Sequence, residues 1–257
     1  MEVRALVFGV GDVVAGCGRV VGNSGGTWFE PRLPALAVGY AGGRPAPKPS
    51  DLAVPVAGVD LNRVAGRYER DGSVEGWTTL TGEWLGSAIR VESQSDAQPP
   101  PLRERLTDWT VPPCRPTASG WPRGQENANL IFDPGDLEEN GAAVAVTVFR
   151  PSVDRQVLVV AAVDVAAVEA RLRPQLGDRL CVIPARWTKP QLDTAFGHLQ
   201  DRWQHWKLYA ASPHNDEYGQ PSIHARLVRI TREIADWIDT CPDGLVTLTP
   251  WLTPLDR

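Results

Sequence analysis

The chain has 257 residues, of which 42% are apolar and 22% charged, with a formal net charge of -5 and a pI near 5.4. That length suits two ordinary domains, each with enough apolar residue to bury a core. Residues 1–98 hold 11 acidic and 9 basic residues, so no basic field is set up for phosphates and nucleic acid is a disfavoured partner. No apolar run has the length of a bilayer span, which argues against a membrane partner.

The N-terminus, MEVRALVFGVGD, lacks the basic lead, long apolar core and small-residue cleavage site of a signal peptide, and reads as a first strand. Cys17, Cys114, Cys181 and Cys241 are far apart, with no C-x-x-C pair, which fits neither a zinc knuckle nor a dense disulfide framework. Free thiols in a reducing, cytoplasmic setting follow as the expectation.

In chain order, 3–8 and 13–21 read as strands, and Thr27–Phe29 forms a short third after the turn signal NSGG. Residues 31–50 hold five prolines and read as a surface loop. Strands are expected at 52–59, at an edge because of Pro55, and at 74–84 and 87–95. Five or six short strands with little helix suggest a small, partly open β-barrel of the OB type over 1–97. Residues 98–126, with QPPPL, VPPCRP and GWPRG, read as a proline-rich linker or arm, with one helical turn near Leu102–Trp109.

The third segment, 127–257, reads as an α+β domain. Strands are expected at 142–149, 156–162 and 179–184, with a helix over 165–174 capped by Asp164 and followed by Gly177. Thr188 should cap a helix of about 18 residues ending near Lys207, with Leu192, Phe196, Leu199, Trp203 and Trp206 on one face. Strands at 208–212 and 222–230, a helix begun by Thr231 and a strand at 245–249 complete a β-α-β-β-α-β order from 179 onward. That order is the ferredoxin-like arrangement.

Several groups are candidates for chemistry. Gly9-Val10-Gly11 follows an apolar strand, but Val14 stands where a dinucleotide fingerprint needs its third glycine and no helix follows, so it reads as a turn. All four histidines lie within 27 residues. Asp201 and His205 are spaced to share a metal ion if His214 or Asp216 folds over them, against the plainer reading of a solvated helix face. The loop PHNDEYG gathers His214, Asp216 and Glu217, the residue types of acid–base catalysis and equally those of an ordinary polar turn. Cys114, beside Arg115, is either an exposed thiol or a packing group where the linker docks, and Cys181 reads as core. Ten tryptophans stand out. Trp28, Trp77 and Trp84 on the barrel, and Trp109 and Trp121 on the linker, are candidate binding residues, although such side chains more often fill cores.

No nucleophile motif, phosphate loop or complete metal set is present, and no cofactor is expected. The reading is a non-catalytic binding or accessory protein acting on another protein or assembly, with a homo-oligomer compatible. The alternatives are an enzyme, such as a metal-assisted hydrolase using His198–Glu217, and a single-stranded nucleic-acid binder acting through the barrel.

Overall fold

The stretch VVAGCGRVVGN alternates small and branched residues over eleven positions and forms one long strand, β1 (Val13–Asn23). It hydrogen-bonds along both edges. One edge takes β2 (Gly26–Glu30) beyond Arg19, and the other takes β5 (Ser73–Trp84) from Val13 to Gly22. Gly18 is required in the strand, because a Cβ there would overlap the Glu30 carbonyl and the Trp251 ring. The computed structural model describes residues 3–33, 44–96, 110–116, 118, 120–121, 123, 137 and 141–255.

β2 pairs with β3 (Val54–Ala57), β3 runs parallel to β6 (Ile89–Asp96), and β6 pairs with β5. With the β1–β5 pairing, the hydrogen bonds run β1-β2-β3-β6-β5 and back to β1. β4 (Ala65–Arg70) joins the outer edge of β5. The Asp71-Gly72 pair between them has φ of 52° and 72°, the left-handed pair that a two-residue hairpin needs. Val14, Val20, Phe29, Val54, Leu80, Trp84 and Ile89 form the buried core of this first sheet.

The core is completed from the far end of the chain. Val228 and Leu252 are buried in it, and β13 (Thr253–Pro254) pairs with the first half of β1. In return, residues 3–7 reach into the C-terminal part. They form a 3-10 turn, Val3–Leu6, rather than the expected strand. Leu6 is buried against the C-terminal helices, and Val7 makes a single parallel bridge to Ile230. Val3 and Leu6 are three apart, so one helical turn points both at that core. Packing therefore crosses the expected boundary between residues 97 and 127.

From residue 141 the same β-β-α-β order occurs twice. β7 (Ala143–Ser152) and β8 (Arg155–Ala162) are an antiparallel hairpin. Helix α1 (Val165–Leu176) then leads to β9 (Leu180–Pro184), parallel to β8. Helix α2 (Lys189–Asp201) follows. β10 (Leu208–Asn215) and β11 (Pro221–Leu227) form the second hairpin, and α3 (Arg232–Thr240) leads to β12 (Val246–Pro250), parallel to β11.

The helix starts follow their caps. Asp164, Thr188 and Thr231 each accept a backbone N–H of the first turn, and Thr188 with Gln191 forms a full capping box. The fold is thus mostly β, with three α-helices and three sheets among the described residues, an α+β arrangement. The ferredoxin-like expectation is corrected. Its element order from 179 is present, but β9 pairs with β8 and not with β10–β12, so no single four-stranded sheet forms.

β8 is buried on both faces, as its continuous apolar run VLVVAA requires of a central strand. α1 covers one face through Val168 and Leu172. The other face is covered by the described parts of the proline-rich segment, where Cys114 and Trp121 pack on Phe149, Val157 and Val159. Cys114 is disulfide-bonded to Cys181 on β9. The expectation of four free thiols is corrected by that bond, and with it goes the thiol argument for a cytoplasmic setting. Cys17 and Cys241 remain free thiols. No described helix is long and apolar enough to cross a membrane.

Candidate functional site

Helices α2 and α3 pack on one face of the β10-β11-β12 sheet, burying Ile223, Ala225 and Leu227 from β11. Strand alternation sends Ser222, His224 and Arg226 to the opposite face. Register sets Ser212 beside His224 and His214 beside Ser222 on β10, and Thr247 and Thr249 beside His224 and Arg226 on β12. The result is a polar concavity of about 620 Å³, lined also by Arg186, Trp187 and Gln220.

Inside it the His214 and His224 rings lie 6.0 Å apart, edge to face, and His224 Nε2 is 2.7 Å from Thr249 Oγ1. Burial pushes the nearby Tyr209 phenol up, while Arg226 pulls it the other way. Gln220 fixes the rim by accepting from Arg186 N–H and donating to the Pro184 carbonyl. The hairpin tip is seated on the neighbouring sheet. Gly219, at φ 76°, lets the chain turn where a Cβ would sit 2.8 Å from Val159, and Asn215 donates to Thr147.

Of the three candidate catalytic residues, His214 and Asp216 reach this concavity. Asp216 is committed to the turn, because one carboxylate oxygen accepts from Tyr218 N–H at 2.9 Å and Gln220 N–H at 2.8 Å. Glu217 is exposed beside Tyr218, whose phenol it pushes up in pKa. The candidate metal residues Asp201, His205 and His214 are not brought together, and no three His, Cys, Asp or Glu side chains converge among the described residues.

The reason is that α2 ends at Asp201, six residues before the expected Lys207, so His205 lies in the turn that follows. His205 Nε2 is 2.9 Å from Glu233 of α3, which also accepts from the Trp206 indole N–H at 3.1 Å. These two bonds, His205 first, hold the Glu233 carboxyl below its usual range. His198 is not on a bare solvent face either, since its ring stacks on Trp237 at 4.8 Å and meets Trp206 at 5.2 Å.

The candidate tryptophans do not share one surface. Trp28 and Trp77 stand opposite Val21 and Arg19 of β1, and therefore on one face of the first sheet. Trp77 lies beneath the Arg32 guanidinium. Trp84 is buried and Trp121 packs on the β7-β8-β9 sheet. Trp109 and the helical turn expected near it lie outside the described residues.

Sequence reasoning missed the buried charges on the face that holds Trp77. Glu30 and Glu75 are 1% and 4% exposed. Arg19 pairs with both, Arg44 pairs with Glu75, and Ser50 N–H donates to Glu30 at 2.7 Å. This cluster fastens residues 44–50 to the sheet. Its signal was the placement of Arg19, Glu30 and Glu75 within strands where side chains are otherwise apolar or small. No protein family, curated protein or solved structure matches the chain.

Proposed function

We propose that the protein is a non-catalytic binding protein, and that it recognises an acidic segment of a partner protein through the open face of the β10-β11-β12 sheet. One observation carries the reading. Arg186, Arg226, His214 and His224 line a single concavity whose only carboxylate among the described residues, Asp216, is already taken by its own turn. On a chain of net charge -5, such a face is a local exception, and it selects partners of opposite sign. Ser222, Thr247 and Thr249 add hydroxyls that can bond a partner's backbone or carboxylates.

The N-terminal sheet serves in this reading as a scaffold, a small, partly open barrel of the OB type. Its support is the ring of pairings and the parallel β3–β6 contact.

The experiment is affinity capture from the native host with wild type and with the Arg186→Glu/Arg226→Glu variant. Both positions are exposed, so the variant should melt as wild type does. A partner should be retained by wild type, released by raised salt and lost with the variant. Retention that ignores both salt and charge reversal would overturn the reading.

A further inference from the structure

A second concavity, of about 280 Å³, lies where the N-terminal sheet meets the C-terminal part, between residues 51–54, Trp84 and residues 205–229. The Arg229 guanidinium sits in its wall. It lies 4.9 Å from the Trp84 ring centroid and 5.7 Å from that of Phe8, against two aromatic rings. Burial lowers its pKa and no carboxylate offsets that. Among the described residues no side chain or carbonyl accepts from its N–H groups, which leaves donors along the guanidinium edge. A half-buried cation without a counter-charge still carries a desolvation cost, which a bound anion would offset.

Lys207 lines the same concavity. Its backbone has φ 52°, a left-handed conformation that a residue with a side chain adopts only under constraint. The Val228 N–H on the Lys207 carbonyl (3.1 Å) and the Lys207 ammonium on the Asp51 carbonyl (3.1 Å) hold it there. That single bond leaves two of the ammonium's three donors. Among the described residues no carboxylate is paired with either cation. Asp51 is exposed and offers its carbonyl, and Glu233 is engaged by His205 and Trp206. Leu52, Val54 and Val228 supply an apolar wall.

We propose that this concavity binds a small molecule through its oxyanion, a phosphate or carboxylate group, clamped between Arg229 and Lys207. The guanidinium edge offers the two parallel N–H groups that match such an anion, and the ammonium supplies a second charge. The volume suits a compact metabolite. The site is separate from the open face of β10–β12 and does not depend on it.

The test is a titration of the full chain, by heat and by tryptophan fluorescence, with inorganic phosphate and with succinate at constant ionic strength. At least one probe should give saturable binding. Arg229→Gln should weaken it about tenfold or more, as loss of a charge-assisted pair does. Lys207→Ala should weaken it several-fold. Lys207 is exposed, so that variant keeps the test open if Arg229→Gln fails to fold. Arg67→Gln, on exposed β4, should bind as wild type does. A preference for phosphate or for succinate identifies the anion. Absence of saturable binding with both probes, or unchanged binding in Lys207→Ala and Arg229→Gln, overturns the proposal.

Discussion

Breaking the Cys114–Cys181 bond should destabilise the β7-β8-β9 sheet by about 4 kcal/mol. The two cysteines are 67 residues apart, and a cross-link over a loop of that length removes denatured-state entropy worth roughly that amount at 25 °C. The native state also depends on the bond, because it holds the described parts of 110–123 over Phe149, Val157 and Val159. Besides the bond, that segment is supported by Thr110, whose N–H donates to the Arg150 carbonyl and whose hydroxyl accepts from Arg150 N–H, and by an isolated bridge between Arg123 and Arg155. In a protein of this size a loss of about 4 kcal/mol lowers the melting temperature by roughly 8–16 °C. The assay is a thermal melt of wild type with and without reductant, alongside Cys114→Ser in oxidising buffer. Reduced wild type and the variant should melt together, well below the oxidised protein. Coincident melts would refute the reasoning, and a peptide map showing four free thiols in the oxidised protein would refute the pairing itself.

Trp206 is 4% exposed and touches both His198 and Trp237, so Trp206→Ala should cost about 3–5 kcal/mol in chemical denaturation. His205→Ala removes only a surface pair and should cost less than about 1 kcal/mol in the same measurement. Glu233 is held below its usual range by its bonds to His205 and Trp206. Its contribution is therefore full above the unfolded carboxylate range and is lost as pH falls through the lower folded value. Melts from pH 7 down to pH 3 should show wild type converging on Glu233→Gln at acid pH, and a constant gap would contradict this. Arg19→Met leaves Glu30 and Glu75 buried without their shared cation, and should cost about 3–5 kcal/mol by denaturant unfolding.

Local signals were legible where one short-range force decides the outcome. The caps Asp164, Thr188 and Thr231 mark three helix starts, and the alternation of 74–84 marks β5. β4 was missed although Asp71-Gly72 announces a tight hairpin, because its strand AGRYER is polar and carries no core signal. The helix expected to reach Lys207 stops at Asp201, since Trp203 and Trp206 keep the apolar spacing while packing from a turn. Partnership at long range was not legible. Nothing local says that β9 joins β8, that Leu252 completes the first sheet's core, or that Cys114 meets Cys181. The same holds for function. His214 and His224 are ten residues apart in a list of polar turn and strand letters, and only the β10–β11 register makes them neighbours. Arg229 gave no sequence signal, because its aromatic setting comes from Trp84 and Phe8 in the other half of the chain.

The open face of β10-β11-β12 is the centre of the account, and a photo-crosslinking amino acid placed there tests it most directly. Set at Ser222 in the native host, the crosslinker should capture one partner through an Asp/Glu-rich segment. The same group on exposed β4, at Arg67, should capture none. The adduct should disappear when Arg186→Glu and Arg226→Glu are added. Equal capture from both positions, or an adduct at Ser222 that survives reversal of both arginines, would contradict the assignment of this face as the binding surface.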